Sequence, residues 1–189
     1  MVVLGLVRCN DDSTTTQPLP QGCQAQGVYA IDVTQANLDC LPTNAYTDVD
    51  QALGAPDSSS LGPGKTELGG MVSLGVEGTL TLFMGSCIQD LPGPDIRVYQ
   101  VVSSEVVEAQ VSQDEDGPFV SLGAKPCGED IAGYPKKCDF DLAGSGLNNI
   151  RYVRLVDGEK LSFVTAACDS DGLSPGADID AVEVLHPGS

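Results

Sequence analysis

VVEAQVSQDEDGPFVSL, residues 106–122, is the stretch that decides the fold. In its first seven residues Val107, Ala109 and Val111 alternate with Glu108, Gln110 and Ser112. Successive side chains of a strand point to opposite faces, so this spacing predicts a strand with one buried face. QDEDG, residues 113–117, carries the acids and glycine of a turn. FVSL, residues 119–122, then reads as the partner strand of a hairpin.

The same period of two recurs on either side. VYAIDV, residues 28–33, sets Tyr29, Ile31 and Val33 on one face. TLTLFM, residues 79–84, does so for Leu80, Leu82 and Met84, and DIRVYQVV, residues 95–102, for Ile96 and Val98. IRYVRLV, residues 150–156, and DIDAVEVL, residues 178–185, complete the set. Residues 34–70 are rich in Pro, Gly and Ser and read mostly as loop, and no segment carries an apolar stripe of three helical turns. Seven or eight short strands with this spacing predict an all-β, antiparallel sandwich or barrel. Tyr29, Tyr99, Tyr152 and Phe119 fall within the strand patterns and are expected in the core. Residues 1–26 read as an N-terminal segment and flexible tether, and 27–189 as a single domain.

Composition removes several function classes. Nine Lys and Arg against 27 Asp and Glu give a net charge of −18. That charge repels nucleic-acid phosphates and anionic lipid. The single histidine, His186, leaves no basis for a Ser-His-Asp site or a His-rich zinc site. No apolar run reaches the roughly 18–20 residues that span a bilayer.

The seven cysteines are Cys9, Cys23, Cys40, Cys87, Cys127, Cys138 and Cys168, with no CxxC pair among them. Spread cysteines in an acidic, turn-rich chain point to disulfides and an oxidising compartment. Cys9 follows MVVLGLVR and precedes a polar stretch rich in Ser, Thr, Gln and Pro, which resembles the layout of a bacterial lipoprotein. Arg8 departs from the small residue usual before the acylated cysteine. Setting Cys9 aside leaves six cysteines and 15 pairings. The short loop CGEDIAGYPKKC favours Cys127–Cys138, with Cys23–Cys40 and Cys87–Cys168 as the companion pairs; spacing does not fix the connectivity.

The order of motifs DVDQALGAPD, VSLGVEGTLTLFM, IQDLPGPDIRVYQ, VEAQVSQDEDGPFVSLG, FDLAGSGLNNIRYVRLVD and GADIDAVEVL resembles bacterial secreted and cell-surface proteins with a galactose-binding-like domain of the discoidin, or F5/8 type C, kind. The resemblance covers roughly residues 27–185. It implies a jelly-roll β-sandwich of about eight strands, often holding a structural calcium ion between an early loop and the last strand. It does not imply one activity.

The acids give that implication a physical basis. Period two puts Asp178 and Asp180 on the face of Val182 and Val184, at the mouth of the core. Unpaired carboxylates there would be costly, and a Ca²⁺ ion, which takes six to eight oxygens, would offset the cost. Asp57, in the loop DVDQALGAPD, supplies a further oxygen, with Asp50 and Glu183 next in line. Asp90 and Asp95, in DLPGPD, sit in a proline-rich turn entering a strand and offer a second calcium contact. Asp169 and Asp171 lie in a fragment of an EF-hand pattern that lacks the remaining ligands.

These residues lead to a non-catalytic, extracellular or bacterial cell-envelope module that binds Ca²⁺ and presents loops to a polysaccharide or a cell-surface protein. Tyr46, Tyr134 and Phe163 are the loop aromatics, and Tyr46 and Tyr134 are the ones expected to meet a sugar. Two alternatives stand beside it. One is a purely structural domain of a lipid-anchored envelope protein. The other is a carbohydrate-active enzyme, disfavoured because no signature selects two carboxylates and Trp is absent.

Overall fold

The computed structural model describes residues 27–38, 46–58, 70–101, 105–128, 136–158 and 176–187. They form nine strands: β1 Asp32–Asn37, β2 Val72–Ser73, β3 Thr79–Ile88, β4 Ile96–Gln100, β5 Val106–Ser112, β6 Val120–Pro126, β7 Lys136–Phe140, β8 Ile150–Asp157 and β9 Asp178–Val184. One 3-10 turn, Val49–Ala52, is the sole helical element among the described residues. A five-stranded sheet runs β1-β3-β8-β5-β6 and a four-stranded sheet runs β2-β9-β4-β7. Every pairing is antiparallel. The chain is all-β, and its two sheets share one core, as in a β-sandwich.

The alternation that predicts the strands also fills that core. Leu80, Leu82 and Met84 of β3, Val107, Ala109 and Val111 of β5, and Val153 and Leu155 of β8 come from one sheet. Ile96 and Val98 of β4, Cys138 and Phe140 of β7, and Val182 and Val184 of β9 come from the other. Each fully buried aliphatic of this size contributes about 1.5–3 kcal/mol relative to exposure. The β5–β6 hairpin is present, its turn closed by the Gly117 amide donating to the Asp114 carbonyl at 3.1 Å. Gly117 has φ 89°, and a Cβ there would stand 2.9 Å from the Phe119 ring, so glycine fits both the torsion and the space.

Four departures from the sequence reading have physical causes. First, residues 28–33 are not one strand. Tyr29 bridges to Glu183 in the four-stranded sheet, whereas Asp32 pairs with Phe83 in the five-stranded one. The chain changes sheets between them, the alternation breaks, and Ile31 is left 49% exposed while Ala30 is buried. Second, β2 and β7 add strands that the pattern does not reveal, because β2 has two residues and β7 reads KKCDF.

Third, β9 carries a bulge. Tyr99 pairs with Ala181 but Gln100 pairs with Ile179, so Asp180 is the extra residue. Ile179 therefore joins Val182 and Val184 in the core, and Asp178, opposite Ser73, does not share their face. Fourth, Tyr152 and Phe119 are half-buried rather than core, as is Tyr29. Tyr99 is buried, but it lies on the outer face of its sheet, where its hydroxyl donates to Glu183 at 2.6 Å.

Candidate metal centre

β4 and β7 pair with Ile96 opposite Phe140. One register step beyond that pair stand Asp95, which ends the β3–β4 loop, and Asp141, which begins the β7–β8 turn. Asp90 lies in the same β3–β4 loop, whose Pro92, Gly93 and Pro94 turn the chain back. Carboxylate oxygens of Asp90, Asp95 and Asp141 all lie within 4.8 Å of one another. Two of the acids are exposed, while Asp95 is fully buried.

Hydrogen bonds hold the buried member in place. Asp95 accepts the Leu91 amide at 3.0 Å on one oxygen and the Leu142 amide at 2.9 Å on the other. Its own amide donates to the Phe140 carbonyl, and its carbonyl accepts the Leu185 amide. Asp141 accepts the Ala143 amide at 2.8 Å, which orients its carboxylate in the turn. Each carboxylate has about four acceptor positions, so these bonds leave lone pairs for a cation. The donor set is oxygen alone, which suits a hard ion such as Ca²⁺ or Mg²⁺ and not zinc. This acidic cluster can hold a metal ion.

The acids expected around Asp57 occupy other environments, and none belongs to this cluster. The early loop and the last strand do meet, through hydrogen bonds. Asp180, buried at the β9 bulge, accepts the amides of Asp57 at 3.1 Å and Ser58 at 3.3 Å and the Ser58 hydroxyl at 2.7 Å. Burial pushes the Asp180 pKa up, the Ser58 and Asp57 donors oppose that rise, and the neighbouring Asp57 charge adds to it. Gly70 closes the far side with φ +76°, and a Cβ there would come within 2.3 Å of the Asp57 carboxylate.

Asp57 itself is exposed. Asp178 is buried, and its carbonyl accepts the Val101 amide. Asp50 is exposed in the 3-10 turn, with its amide donating to Asp48. Glu183 accepts the Tyr99 hydroxyl. That tyrosine has a pKa of about 12, raised first by burial and then by Glu183.

Cys127–Cys138 is a disulfide joining the end of β6 to β7. Cys87 is also disulfide-bonded; Cys168, its expected partner, lies outside the described residues, as do Cys9, Cys23, Cys40 and Tyr134. Tyr46 is half-buried, and its carbonyl accepts the Ser73 amide at 2.9 Å.

Asp141 is the member of the cluster that the sequence reading misses. FDLAGSGLNN reads as a turn, and the signal that links it to Asp95 is the pairing of β4 with β7, strands more than 30 residues apart in the chain. Comparison of the chain with protein-family models, curated proteins and solved structures finds no match.

Proposed function

We propose that this chain is a non-catalytic, calcium-stabilised module of the galactose-binding-like, jelly-roll kind. It acts outside the cell or on a bacterial cell envelope, in recognition of a glycan or a surface protein. The observation that carries the reading is the convergence of Asp90, Asp95 and Asp141, with oxygens within 4.8 Å, from two loops at one end of the sandwich. Three like charges so close repel one another, and a divalent cation bound among them would turn the repulsion into a cross-link between the loops. The Cys127–Cys138 disulfide supports an oxidising compartment. Hydrogen bonds from backbone amides to Asp95 and Asp141 suit a fixed, structural ion.

The test is a melting curve of calcium-free protein titrated with CaCl₂, with MgCl₂ alongside. A ligand held by the native state alone adds about 2.7 kcal/mol at a hundredfold excess over Kd, or roughly 5–10 °C for a domain of this size. A rise of that order, lost in Asp141→Asn, supports the reading. An unchanged melting temperature at millimolar calcium overturns it.

A further inference from the structure

The outer face of the five-stranded sheet carries a polar and aromatic surface that the metal centre does not use. Cross-strand partners set one rank as Gln35, Thr81, Arg154, Gln110 and Ser121, spanning all five strands. The next rank, two residues or about 7 Å along β8, contains Phe83 and Tyr152, whose ring centroids are 5.3 Å apart. Both rings are half-buried, so each keeps part of its surface in water.

Arg154 sits at the middle of this face. Its guanidinium lies 3.7 Å from the Phe119 ring centroid and donates to the Thr81 hydroxyl at 3.0 Å and to the Gln35 carbonyl oxygen at 2.9 Å. Those bonds use two of its five N–H donors. Both acceptors are neutral, and Asp116 reaches it only through Gln35, whose amide donates to Asp116 at 3.2 Å. Among the described residues no carboxylate bonds Arg154; Glu108, one step along β5 on the same face, accepts the Gln110 amide at 3.0 Å instead. Burial lowers its pKa with no acid beside it to oppose the shift. The ring and the two hydrogen bonds fix the guanidinium before any ligand arrives, so little further ordering is needed on binding.

We propose that this face binds an oligosaccharide bearing a single uronic acid, with the carboxylate on Arg154, a neighbouring sugar ring against Tyr152 and Phe83, and a hydroxyl donating to the Gln110 side-chain carbonyl, whose amide is held by Glu108. This rests on the glycan-recognition side of the proposed function and gives it a site and a ligand class. One carboxylate is specified because a net charge of −18 repels polyanions.

The test is titration calorimetry of the full chain with calcium, using a xylotetraose that carries one glucuronic acid branch and the methyl ester of the same sugar. The acid is expected to bind at least tenfold more tightly than the ester, a comparison that needs no variant. Arg154→Lys should weaken the acid at least fivefold, and Gln110→Ala should weaken both ligands. Equal affinity for acid and ester, no binding of the acid, or acid binding indifferent to Arg154→Lys each overturns the platform. The calcium reading is scored separately by the melting curve, so either can fail while the other stands.

Discussion

Asp95 accepts the Leu142 amide at 2.9 Å across a sequence separation of 47 residues, and so ties the entry of β4 to the exit of β7. The same use of acid recurs at two other places. Asp157 accepts the Glu77 amide at 3.2 Å and the Ala177 amide at 3.3 Å, and Asp180 accepts the amides of Asp57 and Ser58. In each case a buried carboxylate clips a loop to the end of a strand. Backbone amides in these loops have no strand partner, and a buried amide left unpaired is costly.

Substitutions at the metal centre should separate folding from ion binding. Asp95→Ala removes the acceptors of two amides, each orphan costing about 1–3 kcal/mol, so a total loss of roughly 2–5 kcal/mol is expected in urea unfolding without calcium. Asp141→Asn keeps a carbonyl oxygen for the Ala143 amide and should cost less than 1 kcal/mol in the same assay. The calcium-dependent rise in melting temperature should nevertheless disappear from Asp141→Asn. A full rise in that variant would count against the cluster.

Asp180 predicts a pH dependence with a definite sign. Its folded pKa lies above the ordinary 3.8, so between the two values the native state binds more protons than the unfolded state. The contribution of this group is then greatest below the unfolded pKa and is lost as pH rises through the folded one. Asp180→Asn lacks that slope. The stability of the wild type relative to Asp180→Asn should therefore improve as pH is lowered from 7 towards 4, measured by urea unfolding at each pH. A difference that moves the opposite way would refute the assignment.

Leu82 is fully buried between the sheets, on the strand next to β8. Leu82→Ala leaves a cavity in close-packed surroundings and should destabilise by about 2–5 kcal/mol. Thr79→Ala, on the half-buried outer face of the same strand, should cost below 1 kcal/mol. Chemical denaturation of both variants checks that β3 faces the way described.

Cys127 and Cys138 close a loop with a sequence separation of 11. The chain-entropy relation gives about 3 kcal/mol for a loop of that length. Replacing both by Ala should lower stability by that order, as read from the denaturation midpoint. A change below 1 kcal/mol would mean that packing of β7 against β4 holds the loop without the bond.

The alternating residues by themselves determined that the chain is all-β, which faces of β3, β4 and β5 are buried, and that β5 turns back into β6. They did so because side-chain direction in a strand is a local property with a period of two. On β8, where Tyr152 is as apolar as its neighbours, they did not settle the face. The short cysteine loop likewise marked Cys127 and Cys138 as partners. Tertiary structure alone decided the rest. Among the described residues the β5–β6 hairpin is the one pairing between consecutive strands, and all the others join strands distant in the chain. Only those long-range pairings bring Asp141 beside Asp95, carry residues 28–33 from one sheet to the other, and line up Arg154 with Gln35 and Gln110. The bulge at Asp180 belongs to the same class. One inserted residue reverses the faces on either side of it, and it is fixed by the register between β9 and β4 rather than by any residue's own preference.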